Sequence, residues 1–101
     1  MIQKVHTPFQ GFALVCRKCS KKLDGGFGPG GNEKLAKTLK HALKAAGLRR
    51  ALRVIEVGCF GLCPKKAVTV ASSAAPGYLL VIEQGAPPAD LVAAVAPTAT
   101  D

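Results

Sequence analysis

The sequence predicts an α/β domain in which helices pack against one mixed sheet. Short runs rich in Val, Ile, Leu and Ala at 12–15, 52–57, 67–70 and 78–83 have the length and composition of strands. Between the first two of these runs, residues 33–46 carry apolar side chains at helical spacing. A strand, a helix and a second strand make a right-handed parallel crossover, to which a hairpin and a closing helix add. The expected order is β–α–β–β–β–α.

The first strand, "FALV", runs directly into Cys16. "CRKCSKKLD" follows, and then "GGFGPGGN", whose glycines and proline read as a loop. Asn32 is the expected N-cap of the helix, with Glu33 favoured in its first turn. Leu35, Ala36, Leu39, Ala42, Leu43 and Ala46 form the apolar stripe, and Gly47 ends it. Lys34, Lys37, Lys40 and Lys44 lie off that stripe and give the helix a basic outer face. "LRVIEV" delivers the chain to Cys59; "AVTV" and "YLLVIE" form the hairpin around the turn "SSAAPG". "ADLVAAVA" is a short closing helix with Pro88 near its first turn.

With 101 residues the chain suffices for one domain, expected over 1–96 with a disordered tail at 97–101. Such a domain buries roughly two-thirds of its unfolded surface. Lacking Trp and holding only four Phe and one Tyr, it must build its core from Val, Leu, Ile and Ala. No stretch suits a signal peptide or a membrane span, so a cytoplasmic location is expected. The formal charge of +8 attracts acidic proteins, nucleic acid or anionic surfaces, and without such partners serves as a solvated basic rim.

In a reducing compartment the four cysteines are expected to ligate metal or do redox chemistry rather than form a disulfide framework. Cys16 and Cys19 follow the first strand as C-x2-C, and Cys59 and Cys63 follow the second as C-x3-C. If those strands run parallel, both pairs leave the same carboxyl edge, where open α/β sheets gather their ligand sites. Four thiolates from two loops suit a [2Fe–2S] cluster, and also a tetrahedral Zn²⁺, with several details favouring the cluster. Gly58, Gly61 and the glycine loop leave room for N–H groups to approach sulfur, and Phe60, Leu62 and Phe27 are available to shield it. "CRKC" on its own is also a candidate dithiol, with thiol pKa values lowered by the flanking cations. Against that reading, the sequence places the next helix well downstream of Cys19.

The segment "VIEVGCFGLCPKKAVTV" resembles the second ligand loop of the thioredoxin-like [2Fe–2S] ferredoxins. It is also similar to the thioredoxin-like iron–sulfur subunit of NADH dehydrogenases and related hydrogenases. The order Cys pair, helix, strand, Cys pair, strand extends the resemblance over about residues 12–83. It implies a reduced thioredoxin-like fold, a cluster held by Cys16, Cys19, Cys59 and Cys63, one-electron transfer rather than enzymatic catalysis, and a homodimer. The first cysteine pair is more closely spaced here than in those families, which keeps zinc and dithiol chemistry as alternatives.

Arg17, Lys18, Lys21 and Lys22 flank the first pair, and Lys65 and Lys66 follow the second. Beside an anionic thiolate centre they would raise its reduction potential and steer a redox partner with an acidic docking surface. The rival class is a zinc-stabilised basic module that binds nucleic acid or an acidic protein. No groove-reading motif or aromatic stacking platform supports the nucleic-acid form. His6 and His41 read as solvated rather than as ligands, and "GPGGNEK" lacks the G-K-[ST] of a phosphate loop.

Overall fold

Strand β1 (Gly11–Cys16) lies at the centre of the sheet, and its end leads straight into helix α1 (Arg17–Leu23). In this computed structural model, which describes residues 2–48, 51–62 and 64–95, five further elements follow. They are α2 (Leu35–Ala45), β2 (Leu52–Val57), β3 (Ala67–Ser72), β4 (Leu80–Glu83) and α3 (Pro88–Val95). The α/β class is as expected, but the order carries one more helix than β–α–β–β–β–α. The expected disordered tail, 97–101, lies outside the described residues.

The strand order is β2-β1-β3-β4. β1 and β2 are parallel, β3 runs antiparallel to β1, and β4 antiparallel to β3. Pleat alternation across this register puts Ala13, Val15, Leu52, Val68, Val70 and Ile82 on one face. Leu35, Leu39 and Leu43 of α2, with Leu91 and Val95 of α3, complete that core. These leucines recur every four residues on one side of α2, and burying each contributes about 1.5–3 kcal/mol. The opposite sheet face is buried near the cysteine edge at Cys16, Ala67 and Thr69, where Cys19 of α1 meets Thr69; elsewhere it is more open, with Phe12 and Val81 exposed and Leu14, Ile55 and Ala71 half-buried.

Helix α2 starts at Leu35, so Asn32 is not its N-cap and Glu33 is not in its first turn. Phe27 and Glu33 exchange two backbone hydrogen bonds, at 3.1 and 2.8 Å, which hold residue 33 extended. Lys34 takes the N-cap position without a side-chain cap, and the Glu33 carboxylate accepts from Thr38 Oγ1 at 2.9 Å. The other end follows expectation. Gly47 adopts φ +75°, and the Leu48 N–H returns to the Leu43 carbonyl at 2.8 Å. Upstream of β1, residues 2–10 form no strand or helix, and Gln10 and Gly11 N–H both donate to the Ala51 carbonyl.

Candidate functional site

Cys16 is the register partner of Val57 in the parallel pair, so β1 and β2 end together. The C-x-x-C segment and the loop that opens at Gly58 therefore leave the sheet at one edge. This is the juxtaposition expected from the sequence.

At the first pair, Cys16 is the last residue of β1, the N-cap of α1 and fully buried in the core. Its Sγ accepts the Cys19 N–H at 3.4 Å. Cys19, one turn into α1, is also buried. Its thiol donates to the Leu62 carbonyl at 3.8 Å and to Thr69 Oγ1 at 3.9 Å. Thr69 Oγ1 in turn donates to the same Leu62 carbonyl at 3.0 Å. Helix α1, strand β3 and the second cysteine loop are thus tied together around one sulfur atom. Burial pushes the Cys19 thiol up, but the Thr69 backbone, the Cys16 thiol and the Thr69 hydroxyl outweigh it, leaving it below the ordinary cysteine range despite the charge of Cys59.

At the second pair, Cys59 is exposed, and its Sγ accepts the Gly61 N–H at 3.2 Å. Gly61 stands at φ +88°, a conformation that turns its N–H back toward residue 59 at little cost for glycine alone. Cys63 lies outside the described residues. Phe60 is half-buried against the core and Leu62 is 40% exposed, whereas Phe27 is fully buried in the core. Arg17, Lys18, Lys21, Lys22, Lys65 and Lys66 are all exposed and rim this edge. His6 and His41 are exposed, as expected.

The thiols fit a sulfur-ligated centre in their chemistry. An N–H···S contact serves each cysteine segment, and a buried hydroxyl, Ser20 Oγ, sits next to Cys19 with no hydrogen-bond partner among the described residues. Cys16, Cys19 and Cys59 do not by themselves form a metal-binding group; among the described residues, none with three suitable side chains occurs. No described helix is long and apolar enough to cross a membrane.

Two features of the site were not foreseen. Helix α1 begins immediately after Cys16, so the objection to a dithiol, that the next helix lies well downstream, no longer stands. Thr69 was also missed, although a lone hydroxyl inside the apolar run "AVTV" signals a buried polar group in need of partners. Comparison with protein-family models, curated proteins and solved structures finds no match for this chain.

Proposed function

We propose that this chain is a small [2Fe–2S] electron carrier of thioredoxin-like fold, with Cys16, Cys19, Cys59 and Cys63 as its thiolates. The observation that carries the reading is the Cys16–Val57 register, which brings both cysteine segments to one edge of the sheet. The strand order β2-β1-β3-β4, with β3 opposed to the other three, supports the thioredoxin-like assignment. When bound, the cluster would supply reversible one-electron chemistry. The chain's own part is to hold four thiolates, direct the Cys19 and Gly61 N–H groups at sulfur, and present a cationic rim to an acidic redox partner.

Anaerobic purification with a visible spectrum and iron, sulfide and zinc analysis tests this directly. Brown protein with about two irons per chain is expected. Colourless protein with one zinc per chain would overturn the cluster in favour of a structural metal site. Transfer to an acidic partner should slow as salt rises, and a rate indifferent to salt would remove the steering role.

A second reading is thiol–disulfide exchange by Cys16 and Cys19. It is favoured by the start of α1 at Arg17, which sets Cys16 at a helix N-cap, and by the lowered pKa of Cys19. In that chemistry the two thiols pass two electrons and two protons to a partner disulfide, which leaves as a dithiol. A two-electron couple in metal-free protein would mark it.

A further inference from the structure

The charged helix face and the outer edge of the sheet meet away from the cysteines. β2 is an edge strand, and beside its first half, Leu52–Val54, a groove of about 620 Å³ runs against the later turns of α2. That volume is in the range that holds ligands, ~300–1,000 Å³. Leu43, Leu52 and Val54 supply apolar lining, and Lys40, His41, Lys44 and Arg53 supply nitrogen. Among the described residues, no carboxylate lines the groove. Nor do Lys40 and Lys44 form an ion pair with any described residue. Arg53 lies over the ring of Phe9 with its guanidinium carbon 5.7 Å from the centroid, so its charge is held at the groove mouth before any ligand arrives.

From this we infer a second binding site, for an extended acidic polypeptide segment that adds as a strand to the outer edge of β2. Along that edge no described strand pairs with the main chain of β2, and an incoming strand can pair there whatever its sequence. Side chains on its α2-facing side then meet Lys40 and Lys44 and those on its other side meet Arg53, and carboxylates at those positions find cations without an ion-pair partner among the described residues. The register is biased by charge. Arg53 attracts an acidic strand at the start of β2, whereas the exposed Glu56 repels it near the cysteine edge. The site is therefore distinct from the rim around the cysteines and does not depend on what those cysteines hold.

The test uses the full chain and a fluorescent Glu–Val repeat peptide, read by anisotropy and by amide chemical-shift mapping. Saturable binding with shifts at Arg53, Val54 and the Lys40–Lys44 turn is expected. Lys40→Glu with Lys44→Glu should weaken it by about tenfold or more, while the charge-matched pair Lys34→Glu with Lys37→Glu, outside the groove, changes it by less than about threefold. The same peptide N-methylated at alternate amides keeps its charge but cannot pair with a strand, and should also lose about tenfold. Equal losses from both lysine pairs, or undiminished binding of the methylated peptide, would reduce the effect to general charge attraction and overturn the proposal. Shifts confined to other elements of the wild-type protein would overturn it without any variant. A single-stranded oligonucleotide that binds more tightly, through the same Lys40 and Lys44, would replace the acidic peptide with nucleic acid.

Discussion

The thiol of Cys19 and the main chain of Leu62 meet at 3.8 Å, which links the first cysteine segment to the residue just before Cys63. Thr69 sits beside both, giving its hydroxyl proton to Leu62 and receiving that of Cys19. This three-way contact makes Thr69 a structural support of the site.

Replacing Thr69 with Val keeps the shape and removes the hydroxyl. The part-buried Leu62 carbonyl and the Cys19 thiol then lose a partner together, at a cost of about 1–3 kcal/mol. Urea unfolding of the metal-free, reduced protein measures it. A midpoint equal to wild type would show that the hydroxyl does not hold the loop.

The lowered Cys19 thiol has a consequence in pH. Because its folded-state value lies below the ordinary one, the folded protein releases this proton first, and unfolding takes it back. The resulting stability is fully present above the ordinary thiol value of about 8.5 and is lost as pH falls through the folded value. Metal-free, reduced protein should therefore gain stability as pH rises through that window. The slope should shrink in Thr69→Val and vanish in Cys19→Ser; a slope unchanged in Cys19→Ser would assign it to another group.

Cys16 and Cys59 should separate ligation from folding. Cys16→Ala removes a fully buried side chain and an N-cap acceptor, costing about 1–2 kcal/mol in the metal-free protein. Cys59→Ala, at an exposed position, should cost less than about 1 kcal/mol. Both should lose bound iron alike. Full iron content in either variant would remove that residue from the ligand set.

The glycine loop makes a contrast of the same kind. A Cβ on Gly28 would come within 2.7 Å of the Glu33 side chain, at φ +83°; one on Gly31, at φ +70°, would meet nothing within 4 Å. Gly31→Ala should cost about 1–2 kcal/mol from backbone strain alone. Gly28→Ala should cost more, because it also displaces the carboxylate that accepts from Thr38. With Tm falling by ~4–8 °C per kcal/mol in a domain near this size, thermal scans resolve the two.

Much of this fold was legible because its signals are periodic. The leucine stripe of α2 and the apolar runs of β2 and β3 led to the right elements, and β2 to its observed limits. α1 was not legible. "RKCSKKL" offers little apolar stripe, and its N-cap is a cysteine rather than Ser, Thr, Asp or Asn. It ends at "DGG", where Asp24 turns left-handed at φ 53° and donates its N–H to the Ser20 carbonyl. Asn32 looked like a cap by residue type, but the non-local bridge between Phe27 and Glu33 decided where α2 begins. The meeting of Cys19 with Leu62 lay beyond sequence reasoning for the same reason: it depends on how α1 packs against β3.

Cys16 and Val57 face one another across β1 and β2 although about 40 positions separate them in the chain. Parallel pairs of such separation form late, after the entropy of closing the intervening loop has been overcome. A slip of one residue between the strands would turn the side chains of β2 to the wrong face and shift the height at which its loop departs. The two cysteine segments consequently become neighbours only in a chain whose register is already correct. Until then Cys16 and Cys19, buried in the folded chain, lie open to solvent, so the first pair of a newly made chain is most vulnerable to oxidants before the sheet closes.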